Sequence, residues 1–240
     1  MLALSPPSCV MAARSPFGPF CRRTRPGLLG FSAGLVTTDH SPENRKVVLL
    51  SGGVESTTVL HMERDSGTFV IPLFVDYAQR GAEMERAASA AACKSLGLEM
   101  LEMNAAGIGE TFRSLQGKQR LHVPVPHRNL LILSLALSLA AQQSATAVVL
   151  ALQAEDGDWY PSASPAFFTA FAAAAATLEP GVDLQAPLRT MRKADVIRAG
   201  AELGVDFAQC YSCMRGGQHH CGLIPHIRCV SDLRSEWLQH

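Results

Sequence analysis

Lys46-Val47-Val48-Leu49-Leu50-Ser51-Gly52-Gly53-Val54-Glu55-Ser56-Thr57-Thr58-Val59-Leu60 holds a strand, a turn and a helix in one run. Four apolar residues, Val47 to Leu50, two of them β-branched, read as a buried strand. Ser51-Gly52-Gly53 stops it, and helix-tolerant residues resume from Val54 to Met62. Paired glycines permit positive φ and let a ligand approach the backbone. The N–H groups and dipole of the helix start, with the hydroxyls of Ser51, Ser56 and Thr57, favour a bound phosphate. The plainer reading is a tight strand-to-helix turn without a ligand. The run has neither the lysine of a Walker A loop nor the third glycine of a dinucleotide fingerprint. A phosphate site lacking both points to chemistry that releases pyrophosphate.

Outward from that run, strands and helices alternate. Thr68 to Val75 predicts a second strand, with Pro72 at a bulge or bend. Glu83 to Leu96 predicts an alanine-rich helix with Gly97 past its end, and Leu98 to Met103 a third strand. Ala105 to Val123 is polar and poorly periodic, either a flap or a plain surface loop. Leu130 to Gln143 predicts a core helix, too short for a membrane span, and Ala147 to Leu152 a fourth strand. Asn129, just before that helix, serves either as a ribose contact or as an N-cap. Ser164 to Leu178 is almost free of charge and predicts a largely buried helix. Val182 to Ala186 reads as a short strand, and Thr190 to Leu203 as an amphipathic helix capped by Thr190. Such alternation predicts an α/β fold with a doubly wound parallel sheet, ligands binding beyond the strands' carboxyl ends. Ser51-Gly52-Gly53 and Asp76-Tyr77 both fall there. Glu155, Asp156 and Asp158 beside Trp159 and Tyr160, past the fourth strand, suit a flat heterocycle with amino groups, or form an acidic surface loop. Lys193 lies where a helix dipole offers a cation nothing, so it is either a phosphate contact or a solvated lysine.

The 240 residues allow one sizeable domain with an extension, divided here as 1–44, 45–206 and 207–240. Residues Met1 to Thr38 hold no acid, carry four arginines and several prolines, and read as a mitochondrial or plastid transit peptide. A disordered tail on a cytoplasmic protein is the alternative. Five of the 21 Lys and Arg and two of the 21 Asp and Glu precede Lys46, leaving 16 basic residues against 19 acidic. That balance argues against nucleic acid and for a small-molecule substrate. Seven cysteines, four of them at 210, 213, 221 and 229, suit a reducing compartment and either zinc or buried thiols.

Ser51-Gly52-Gly53-Val54-Glu55-Ser56 resembles the PP-loop, Ser-Gly-Gly-x-Asp-Ser, of the adenylating ATP pyrophosphatases. Further motifs follow in order: Asp76-Tyr77-x-Gln79-Arg80, Pro126-x-Arg128-Asn129, Tyr160-Pro161, Ala186-Pro187-Leu188 before Lys193, and Tyr211-Ser212-Cys213 with Cys221-Gly222. Together they resemble the 7-cyano-7-deazaguanine synthase family from Lys46 to Gly222. The resemblance implies an adenine nucleotide alpha hydrolase-like fold with a small C-terminal zinc-type lobe. It implies ATP with Mg2+, Zn2+ as a further metal, a deazapurine carboxylate and ammonia as substrates, and possible assembly as a homodimer. By that resemblance Leu50, Ser51, Gly52, Gly53, Val54, Ser56, Thr57 and Thr58 hold the nucleotide, with Asp76, Gln79, Arg80 and Asn129. Glu55, Arg128 and Lys193 act in catalysis, Asp156 and Tyr160 face the deazapurine, and Cys213 and Cys221 bind metal.

The chain departs from the family pattern at Glu55 for Asp, His127 for Gly, and Ser162-Ala163-Ser164 for Asp-Cys-Arg. Ile224 and Ile227 stand where two zinc cysteines are usual, and Leu223 to His240 reads as unrelated to the family, as from another final exon. Cys210, His226 or Cys229 are the substitutes at hand. Two other functions stay open: a ligase acting on another carboxylate, and a non-catalytic nucleotide-binding protein.

Overall fold

The computed structural model describes residues 44–115, 123–213 and 215–217. The expected transit segment, Cys221, His226 and Cys229 lie outside them.

Five strands form one parallel sheet in the order β3-β2-β1-β4-β5. They are β1 (Arg45–Leu49), β2 (Phe69–Asp76), β3 (Leu101–Asn104), β4 (Ala147–Val149) and β5 (Asp183–Gln185). Period-two alternation on β1 sends Val47 and Leu49 to one face and Val48 and Leu50 to the other. On the first face lie α4 (Arg128–Gln142) and, after the short α5 (Asp156–Trp159), Phe168 of α6 (Pro165–Leu178). On the second lie α1 (Val54–Asp65), α2 (Ala82–Ser95) and α7 (Lys193–Glu202). Both faces are covered, which is why β1 reads as unbroken apolar sequence. Val47 and Val48 are wholly buried, each contributing about 1.5–3 kcal/mol relative to exposure.

Pro72 makes no bulge: it sits in regular register opposite Val48. Leu73 C=O accepts from Leu50 N–H across to β1, so by alternation the Pro72 nitrogen faces the β3 side. The β3 ladder begins only at Leu73, and the missing N–H is never needed.

Four other expectations change. Ala105 to Val123 is no simple loop, because Ala106–Leu115 forms α3. α6 is mostly exposed, with only Phe168 and Ala175 buried; its lack of charge reflects small alanines, not burial. Thr190 does not cap α7: backbone turns from Ala186 to Met191 delay the helix, and Arg192 becomes its N-cap. Likewise α4 starts at Arg128 behind His127, which takes the left-handed conformation at φ 52°.

Candidate active site

At the sheet's reversal point, between β1 and β4, the loops after both strands border a cavity of about 530 Å³. Ligands of doubly wound sheets bind in that place because neighbouring connections diverge to opposite faces.

One wall is the Ser51-Gly52-Gly53 turn. Gly52 takes φ +68°, and a Cβ there would lie 2.6 Å from Ala88 Cβ and 2.7 Å from Glu85 C=O. Its missing side chain makes room for the packing of α2. Gly53 N-caps α1 with extended backbone and no side-chain cap, leaving first-turn N–H groups without a side-chain acceptor. Ser56 Oγ accepts from Ser51 N–H at 3.1 Å and lies 3.1 Å from Ser51 Oγ, fixing the turn.

Glu55, in the first turn of α1, is ion-paired with Lys193 at the start of α7. Lys193 is only 8% exposed, so the pair neutralises a buried cation at a helix end whose dipole disfavours it. Beyond β4, Asp156 Oδ2 accepts from Gln153 N–H at 2.9 Å. Burial pushes the Asp156 carboxyl above the usual range, that hydrogen bond opposes the shift, and the negative charge of Glu55 adds to it. Gln153 is itself buried, and its Oε1 has no hydrogen-bond partner among the described residues. Arg128 stacks over the Tyr160 ring at 4.9 Å from the centroid.

The third wall follows β2. Burial raises the Tyr77 phenol to about 12, with Arg128 nearby pulling it down, so Tyr77 stays protonated. Gln79 braces the turn: its Oε1 accepts from Tyr77 N–H at 2.9 Å and its Nε2 donates to Glu85 Oε2 at 3.0 Å. Glu85 borders the cavity, and burial raises its pKa.

Leu50, Ser51, Gly53, Glu55, Ser56, Gln79, Arg128, Asn129, Asp156, Tyr160, Lys193 and Cys213 thus meet around one cavity. Asn129 does not cap α4; its amide donates to Ser162 C=O at 2.9 Å and ties α4 to the turn after Tyr160. The side chains of other expected nucleotide residues turn elsewhere. Val54 is in the core, and Thr58 Oγ1 bonds back to Val54 C=O at 2.8 Å against α7. Thr57 turns toward a smaller cavity beside His61 and Cys210. Asp76 supports its own loop by accepting from Ala78 N–H and pairing with Arg86 at 2.5 Å. Arg80 packs under Gly216.

Tyr77, Glu85, Gln153 and Ser212 were not among the expected contacts, although Tyr77 and Ser212 belong to quoted motifs. Nothing in the sequence separates inward Glu85 from exposed Glu83 two residues earlier. Among the described residues no group of three or more His, Cys, Asp or Glu side chains is placed to hold a metal ion. Burial pushes the Cys210 thiol up to about 11.

The family model described as "Queuosine biosynthesis protein QueC" matches residues 45–231. The chain belongs to the QueC family. Likeness to QueC therefore does not stop at Gly222 but extends through 231, correcting the reading of Leu223 onward as unrelated. The 7-cyano-7-deazaguanine synthase of Methanoculleus marisnigri is 32% identical over 196 residues, 75% of this chain and 88% of that protein. The 7-cyano-7-deazaguanine synthase of Stutzerimonas stutzeri is 35% identical over 187 residues, 71% of this chain and 84% of that protein. Among solved structures, NMN synthetase from Francisella tularensis superposes with a TM-score of 0.53 at 16% identity, covering 74% of this chain and 69% of that one. The NH3-dependent NAD synthetase of Campylobacter jejuni gives 0.51 at 14% identity, covering 83% and 80%. These two share the adenine nucleotide alpha hydrolase-like fold with this QueC member.

Proposed function

We propose that this QueC member converts 7-carboxy-7-deazaguanine and ammonia to 7-cyano-7-deazaguanine at the expense of ATP. The observation that carries the reading is one cavity with the uncapped start of α1 on one wall and Asp156, Gln153 and Tyr160 on another. The names of its relatives support the same product.

In this reading the substrate carboxylate attacks the α-phosphorus of ATP and pyrophosphate leaves. Ammonia displaces AMP to give an amide. A second ATP activates the amide oxygen, which departs with AMP and leaves the nitrile. The chain's own work is positioning and charge stabilisation. First-turn N–H groups of α1 and the Ser51 hydroxyl receive pyrophosphate oxygens. Lys193 and Arg128 offset negative charge, and Tyr160 supplies a flat face. The unpartnered Gln153 Oε1 and the carboxylate of Asp156 are acceptors suited to the amino groups of a deazapurine. Magnesium would enter with the nucleotide's phosphates, and Glu55, in the first turn of α1, is the carboxylate that would hold it.

Ala163 lines the cavity within the altered Ser162-Ala163-Ser164 segment, and this favours a second reading, a related carboxylate of different outline. Incubation with magnesium-ATP, an ammonium salt and 7-carboxy-7-deazaguanine, following AMP and product mass together, tests both. AMP with the nitrile mass is the expected result. AMP released only with another carboxylate would establish the second reading, and no AMP with any carboxylate would defeat both.

A further inference from the structure

Tyr211-Ser212-Cys213 comes from the far end of the described chain, yet it closes over the Ser51-Gly52-Gly53 turn. Tyr211 N–H donates to Gly52 C=O at 2.8 Å, and the Tyr211 hydroxyl donates to Gly217 C=O at 2.8 Å. The Tyr211 side chain is buried, with its ring edge 3.1 Å from where a Gly81 Cβ would stand. Anchored so, Ser212 points its hydroxyl at Gly53. A Cβ on Gly53 would have Ser212 Oγ at 3.5 Å, Ser51 Oγ at 3.5 Å and Glu55 Oε2 at 3.7 Å as its nearest neighbours. Ser212 Oγ is buried and has no hydrogen-bond partner among the described residues. A buried hydroxyl without a partner is costly unless something fills the gap. A Cβ at Gly53 would occupy the space between these three oxygens.

We infer that Ser212 is a phosphate-binding residue of this site, donating its hydroxyl to an oxygen of the pyrophosphate held at the start of α1. The inference rests on the reading of the Ser-Gly-Gly turn as a pyrophosphate cradle. It makes the cradle two-sided: N–H groups and Ser51 come from the N-terminal end of the domain, and the closing hydroxyl comes from the C-terminal segment. A purely structural serine would have a partner in the folded chain, and this one has none among the described residues.

Calorimetric titration of the full chain and of Ser212→Ala with inorganic pyrophosphate, and separately with adenosine, tests it. Loss of one hydrogen bond to a charged group weakens pyrophosphate binding roughly tenfold. Adenosine binding is expected to stay unchanged and the ligand-free melting midpoint to hold or rise, because Ser212 makes no bond to another described residue and its buried hydroxyl is costly there. Pyrophosphate affinity within twofold of wild type, or equal weakening of pyrophosphate and adenosine, would overturn the inference while leaving the cradle reading intact. If the wild-type chain itself binds no pyrophosphate, the cradle reading and the inference fall together.

Discussion

Lys193 and Glu55 come from helices 138 residues apart in sequence and neutralise one another at the cavity wall. Replacing Lys193 by Met leaves Glu55 without its partner and, in the proposed mechanism, removes one of the two cations that offset the phosphate charge. Loss of one preorganised electrostatic contact typically lowers turnover by about 10²–10³, and that is the expected fall in AMP formation. Adding Glu55→Gln to Lys193→Met removes the stranded charge, so the melting midpoint recovers while AMP formation stays low. Activity of Lys193→Met within fivefold of wild type would remove Lys193 from the mechanism. Lys193 was legible as out of place on a helix start; its partner was not, because helix spacing carries no information across two helices. His127 is comparable. The family's usual glycine at that position matches the left-handed φ of 52°, which the sequence alone does not reveal.

Among the longer helices, α3 was the one the sequence hid. Gly107 and Gly109 lower helix propensity in its first turn, and its apolar stripe Ile108, Phe112 and Leu115 points outward rather than into a core. The two glycines nevertheless have opposite roles. A Cβ on Gly109 would fall 1.8 Å from Tyr77 C=O, whereas one on Gly107 would meet nothing within 4 Å. Gly109→Ala is therefore expected to push α3 off the Tyr77 loop, lowering stability by about 1–3 kcal/mol and raising KM for the carboxylate. Gly107→Ala is expected to gain about 0.5–1 kcal/mol from helix propensity. Denaturant unfolding of both variants decides it, and equal effects would show that close approach to Tyr77 is not what Gly109 provides. α1 and β1 were legible because pattern and turn chemistry agreed there. The burial expected of α6 failed because missing charge is weaker evidence than large apolar side chains.

For the whole molecule, alternation of strands and helices made the doubly wound class legible, but the strand order and the cavity at its reversal needed the structure. Glu85 shows the consequence for pH. Burial raises its folded pKa above the ordinary 4.5, and a carboxyl so shifted favours the folded state in acid. That contribution is complete below the ordinary value and is lost as pH rises through the raised one. Glu85→Gln, neutral at every pH, should melt like wild type near pH 4 and above it at pH 7. Parallel profiles across that window would show that Glu85 does not set the slope. The clamp on Gly52 has a consequence of another kind, for the order in which a nascent chain gains its parts. The turn is near the start of the domain, but the N–H group that holds its carbonyl belongs to Tyr211. At ~5–20 residues per second, the roughly 160 residues between them take on the order of ten to thirty seconds to synthesise. Until then the emerging chain carries a Ser-Gly-Gly turn with one side missing, and the first motif translated is among the last to be finished.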